Sequence, residues 1–280
     1  HEYIRAYSYW DSPSDFFGSL DDFSSRFADL SSVQVIVGDI YGEGAAGSIY
    51  YTAPVIFKVS NSNGSADRLS SCLLMRFPQP ANYGAPPITP LHIERGLLEP
   101  VPDVFDDAIV MADACAGTDY AGAMSGIPAE TLELEDLKEH GPDNYIDNRS
   151  GAREVVSSLF NAVNRHEYVR AYSYWQDPGV IGPYADYADG FSDTGLIMAV
   201  FGDVMSDSGA GQLYYLVPVA QLVTTTAGGK QTFVGCFTLH MSNPAMQATP
   251  PFEPLGIKKG RFESVPNGTN IEALLATACN

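Results

Sequence analysis

Six side chains at matched places in two halves of the sequence have the chemistry for proton transfer. They are Asp39, Tyr50 and Arg76, then Asp203, Tyr214 and His240. A strand carboxylate beside a tyrosine can abstract a proton next to a carbonyl if burial raises its pKa toward neutrality. Histidine needs no such help, which makes His240 and Tyr214 the first residues to test for ligand binding or turnover. Plainer readings compete at every position. Gly38-Asp39 and Gly202-Asp203 precede the glycine- and serine-rich stretches Gly42 to Gly47 and Ser206 to Gly211, where an aspartate is more often a turn acceptor. His1 and His166 each begin a His-Glu-Tyr-x-Arg run, whose Glu and Arg are spaced for an i,i+3 ion pair on a helix surface. Trp10 and Trp175, with Tyr7 and Tyr172, are spaced to line a pocket or to fill a core.

These residues can be matched because the chain contains itself twice. His1 to Trp10 returns as His166 to Trp175, and from Gly38 onward the register is constant. Positions 38, 72 and 115 recur 164 residues later, at 202, 236 and 279. A period this long means one domain per copy rather than a solenoid. The shared residues are mostly Gly, Pro, Tyr, Phe, Cys and aliphatics. Polar groups are exchanged freely: Arg76 stands where His240 stands, Lys58 where Leu222 stands, His92 where Gly256 stands. A retained scaffold has that pattern. No Ser-His-Asp set, P-loop or Gly-x-Gly-x-x-Gly run is evident, and no cofactor is expected.

The chain has 280 residues, 45% of them hydrophobic, with 34 acidic against 15 basic side chains and a net charge of −19. That surface repels phosphate and anionic lipid, which argues against nucleic acid and membrane partners. Asp21-Asp22, Asp106-Asp107 and Asp203 to Asp207 are candidate calcium clusters, none with EF-hand spacing. No run approaches the roughly 18 to 20 apolar residues that span a bilayer. A secretory signal is not visible, and a mature secreted chain would have lost it. Cysteines form no CxxC pair. Each copy places one in a strand-like run and one at its C-terminal end, which suggests the bridges Cys72–Cys115 and Cys236–Cys279, with buried free thiols as the alternative. Bridges of that kind point to an extracellular, cell-surface or periplasmic setting. Sequons occur at Asn63, Asn148 and Asn267.

Three stretches organise the chain: a first domain at 1–115, an acidic linker at 116–149, and a second domain at 150–280. In the second copy, Val155, Val156, Leu159, Phe160 and Val163 form a helical stripe within Ala152 to Val163. A second helix is predicted over His166 to Trp175, and a short one near Tyr184 to Phe191. Four strands follow: Leu196 to Val204, Gln212 to Thr226, Lys230 to Ser242 and Leu255 to Val265. The first copy repeats them at Val33 to Ile40, Ser48 to Ser60, Arg68 to Phe77 and Ile88 to Val101. It has no counterpart of the Ala152 to Val163 helix, whose place an upstream segment, the linker helix or a neighbouring subunit would fill, in that order of preference. Within the linker, Pro128 to His140 is predicted as a helix.

Helices first, then long antiparallel strands: the order resembles the nuclear transport factor 2-like superfamily. The resemblance rests on the helix pair Arg153 to Trp175, the short helix near Tyr184 and the four strands, with Asn164 to Tyr168 as the helix junction. It covers both copies but not the linker. It implies an α+β fold of two tandem cone-fold domains, each a helix hairpin packed on a curved antiparallel sheet of about four strands. It also implies a pocket, in which isomerase- or cyclase-like members use an Asp or His as acid/base. For this chain the expectation is a non-catalytic structural or binding protein that meets a protein partner or assembles head to tail. The alternative is a small-molecule carrier or enzyme.

Overall fold

The computed structural model describes residues 2–45, 47–116, 130–132 and 145–280. The chain is α+β with two antiparallel sheets. It divides into a first compact unit, mainly within residues 1–139, and a second, mainly within 140–280.

The first unit opens with α1 (Tyr3–Ser8), α2 (Pro13–Phe17) and α3 (Leu20–Arg26). Pro13 starts α2, where its missing N–H costs nothing. A capping box starts α3: Ser19 Oγ accepts from the Asp22 amide, and the Asp22 carboxylate accepts from the Ser19 amide. Tyr7, Phe17, Phe23 and Phe27 hold the three helices together, with ring centroids 4.8 to 6.3 Å apart. The strands are β1 (Leu30–Val37), β2 (Ile40–Ala45), β3 (Ser48–Asn61), β4 (Ala66–Pro78), β5 (His92–Arg95) and β6 (Glu99–Pro100). Then α4 (Asp107–Ala114) begins on Asp106, whose carboxylate accepts from the Ala108 amide. Linker residues Glu130–Leu132 form β7, which pairs with β2. That corrects the helix expected over Pro128 to His140 at these three positions; the rest of it lies outside the described residues.

The second unit contains α5 (Ala152–Asn164), α6 (Tyr168–Tyr172) and α7 (Tyr184–Asp189). Its strands are β8 (Thr194–Phe201), β9 (Met205–Gly209), β10 (Gln212–Thr225), β11 (Lys230–Ser242) and β12 (Gly256–Val265), and α8 (Ile271–Leu275) follows. The sheet runs β12-β11-β10-β8, with β9 also on β10. The expected stripe on α5 buries Val155, Val156, Leu159, Phe160 and Val163 against Val217, Val219, Phe237, Leu239 and Ile257. Asn164 fastens the helix end to β8, donating to the Ile197 carbonyl and accepting from its amide. The turn into α6 is a Schellman motif. Glu167 N donates to Ala162 O and His166 N to Val163 O, with His166 left-handed at φ 57°. A left-handed histidine costs about 1 kcal/mol or more relative to glycine. His166→Gly is therefore expected to stabilise the second unit slightly in urea unfolding, whereas a loss would show that the ring holds something the backbone does not.

β2 and β9 are strands the sequence did not reveal, and a retained proline explains both. β3 and β10 are each 14 residues long, with Pro54 and Pro218 within them. Proline offers no N–H to a neighbouring strand. β1 and β8 end there, Gly38 and Gly202 donate to the Pro54 and Pro218 carbonyls at 2.9 Å, and β2 and β9 take over. The expected strand Ile88 to Val101 is split into β5 and β6, so among the described residues Ser71, Cys72 and Leu73 have no strand partner on that side. Its counterpart β12 stays paired, and Gly235 stands where Ser71 does. A Cβ at Gly235 would run into the Arg261 carbonyl and come within 2.6 Å of the Phe262 ring. Gly235→Ala is expected to cost about 1–3 kcal/mol, and Ser71→Gly far less. Equal losses in urea titrations would contradict the packing difference.

Both expected disulfides are formed, Cys72–Cys115 and Cys236–Cys279, each spanning 43 positions. Among the described residues no helix is long and apolar enough to cross a membrane.

Candidate functional site

The densest polar cluster lies in the second unit around Arg170, which the sequence placed on a helix surface. It is buried instead, 1% exposed. Its guanidinium donates through Nε to Glu167 Oε2 at 2.6 Å, through Nη1 to the Ile146 carbonyl at 2.6 Å and Tyr174 Oη at 3.2 Å, and through Nη2 to Asn161 Oδ1 at 2.8 Å. Arg165 takes the other Glu167 oxygen at 2.8 Å. Tyr174 donates to Asp147 at 2.9 Å, and Arg149 pairs with Asp147 at 3.3 Å. The rings of Tyr145 and Tyr174 lie 4.3 Å and 4.5 Å from the Arg170 and Arg149 guanidinium carbons. Residues 145–149, read as linker from their composition, thus form one wall of the second unit.

Electrostatics in this cluster favour permanence over proton transfer. Burial works against the Arg170 charge, but Tyr174, Glu167 and Tyr145 outweigh it and hold its pKa above the ordinary value. Burial, then the Asp147 charge, pushes the Tyr145 and Tyr174 hydroxyls well above the usual tyrosine range. A raised folded-state pKa means the stabilisation is whole below the unfolded pKa of about 10 and is lost as pH climbs past it. Alkaline titration is therefore expected to unfold the second unit together with tyrosinate absorbance. Smooth ionisation of all tyrosines near pH 10 without unfolding would contradict this.

The expected pocket residues lie elsewhere. His240 and Tyr214 face each other across β10 and β11 with ring centroids 4.7 Å apart. The imidazole nitrogens sit 3.0 Å from Gln176 Oε1 and 2.5 Å from Gln212 Oε1. Partial burial and then Lys258 lower the His240 pKa, so the neutral ring is favoured. Asp203 is exposed at the β8–β9 switch, next to Gly202, whose amide donates to the Pro218 carbonyl, and it is not the residue that stands opposite Tyr214, which is Asp207. The first unit repeats the arrangement with different chemistry. Arg76 pairs with Tyr50 across β3 and β4, its guanidinium carbon 5.8 Å from the ring, and also reaches Ser48 and Glu94. Asp39 is exposed at the β1–β2 switch. In both units the fold joins the tyrosine to its cross-strand partner and leaves the aspartate apart.

A cleft of about 360 Å³ opens beside His240 in the second unit, lined also by Arg149, Tyr174, Trp175, Gln176 and Phe252. Trp175 packs edge-on against Phe237 at 6.0 Å as a core aromatic. The aspartate clusters have local duties. Asp22 and Asp106 cap helices, Asp107 pairs with Lys58 and Arg68, and Asp207 accepts from the Ser208 amide. Among the described residues no three His, Cys, Asp or Glu side chains converge to hold a metal. Sequence spacing hid the Arg170 cluster because its partners come from 145–147, 161 and 167–174. Two faint signals were available: the uncommon Glu-Tyr-x-Arg repeat and the aromatic Tyr145 in an otherwise acidic stretch. Comparison with protein-family models, curated proteins and solved structures finds no match for this chain.

Proposed function

We propose that this protein is a non-catalytic structural or binding module, built from two duplicated domains of the nuclear transport factor 2-like cone type. It works outside the cell, at the cell surface or in a periplasm, and meets a protein partner or other copies of itself. One observation carries this reading: the space between α5 and its sheet is filled by apolar side chains, and the polar groups beside it bond to one another. A general acid or base needs a proton to exchange with a substrate and room for that substrate. The two disulfides support the compartment, since such bridges persist where thiols are oxidised. A net charge of −19 on a chain with only 18% charged residues leaves wide uncharged areas for protein contact.

The cleft beside His240 favours one other reading, a small-molecule carrier. Native mass spectrometry of protein from its natural source separates the two. A ladder in multiples of the 30.2 kDa chain, or a protein partner, is expected. A monomer with a constant small added mass, lost in His240→Ala, would replace the scaffold by the carrier.

A further inference from the structure

One stretch of sheet is closed in the second unit and open in the first. Around Cys236, β11 and β12 stay paired: Gly235 leaves room for the Arg261 carbonyl, and the Phe237 and Phe262 rings meet at 4.8 Å. The first unit has Ser71, Leu73 and Leu98 at the positions of Gly235, Phe237 and Phe262. Ser71 puts a side chain where that room was, and the ring pair is gone. There β5 and β6 part, and a groove of about 620 Å³ opens between β4, the segment 95–102 and α4. Sites for small molecules run from about 300 to 1,000 Å³.

The base of the groove and its walls differ in chemistry. Ser71, Cys72 and Val110 at the base are buried. Ser71 is 3% exposed, and its hydroxyl has no hydrogen-bond partner. Buried hydroxyls are nearly always bonded, so an orphan one lining a groove points to a bond that a ligand supplies. The walls carry Leu97, Phe105 and Ile109, which are 71%, 49% and 60% exposed. In the second unit these positions hold Arg261, Thr269 and Ala273. Three separate segments are therefore large and apolar in the copy with the parted strands, and charged, polar or small in the copy whose strands stay paired. The charged lining residues Arg95, Glu99 and Asp113 are exposed and of both signs.

We infer that this groove binds a small uncharged amphiphile, an apolar body with one neutral polar group that bonds to Ser71. An ionised group carried to the base would exchange its water for a single hydroxyl, a heavy loss. The apolar body takes Leu97, Phe105 and Ile109 out of water, which favours binding in proportion to the area covered. This inference does not rest on the scaffold reading, because the groove lies within the first unit and a structural or binding module can hold a ligand there.

The test uses the full chain with both disulfides intact and two fluorescent probes. Phenylnaphthylamine is uncharged, and anilinonaphthalene sulfonate is the same framework with an anionic group. The uncharged probe is expected to fill one site per chain, about tenfold or more tightly than the sulfonate. Ser71→Ala removes only the hydroxyl and should weaken the uncharged probe about threefold or more. The first unit's melting midpoint should not fall in that variant, since the hydroxyl bonds to nothing in the free protein. Leu97→Arg, Phe105→Thr and Ile109→Ala together write the second unit's residues into the walls and should weaken the probe about tenfold or more. Absence of saturable binding, equal affinity for the two probes, or binding that survives the triple replacement overturns the inference. A chain that dimerises until the triple replacement is made also overturns it and gives the walls to a second copy.

Discussion

Arg170→Met is expected to destabilise the second unit by about 3 kcal/mol or more, whereas Arg5→Met should cost the first unit less than about 1 kcal/mol. The two arginines sit in the same local sequence and make the same i,i+3 pair to glutamate. Burial separates them. Removing one partner of a buried pair leaves the others without water or a substitute, and such losses run to about 3–5 kcal/mol. Here Arg165 still reaches Glu167 at 2.8 Å, which holds the figure toward the lower end. The Ile146 carbonyl loses its guanidinium donor outright. Exposed pairs contribute about 0–1 kcal/mol because water screens them and the side chains lose rotamer freedom. Trp10 lies in one unit and Trp175 in the other, so Trp10→Phe and Trp175→Phe backgrounds report each unfolding transition separately. Equal losses in both units would mean that the buried network adds nothing beyond its surface copy.

The second large effect concerns the bridges. Replacing Cys236 and Cys279 together by alanine should lower the second unit's stability by about 4 kcal/mol, and the Cys72–Cys115 pair should cost the first unit a similar amount. In the chain-entropy account the contribution depends on loop length alone, and both loops span 43 positions. Because the bridges tie β4 to the end of α4 and β11 to the residues after α8, their loss also frees each C-terminal helix. Calorimetry with and without reductant checks this. Unchanged midpoints under reduction would show that helix docking alone suffices, as by Leu275 against Ala220 and Val234.

The internal repeat is what made the fold readable. Four cysteines allow three pairings; two copies in register, each holding two of them, single out one. The α5 stripe and the long strands were equally plain, because periodicity acts locally. The misreadings concern features that depend on distant partners. Glu167 and Arg170 have the spacing of a surface pair, and only the arrival of residues 145–147 and Asn161 makes them a buried one. Glu130 to Leu132 has helical composition but pairs with β2, an edge that composition does not display. β2 and β9 were hidden by glycine and serine, which strands usually avoid, and by a proline whose effect falls on the neighbouring strand. Asp39 and Asp203 have the right chemistry at the wrong place, since the strand switch that retains them also keeps them in water.

The two bridges also set how far the molecule can be drawn out. If it is tethered at one end and pulled from the other, unfolding a unit cannot release the residues behind its disulfide. Each bridge withholds 43 positions, about 150 Å of extended chain. A pulled molecule would lengthen in two steps, each ending in a hard stop. Adding reductant under load would release the remainder as two further increments of equal size.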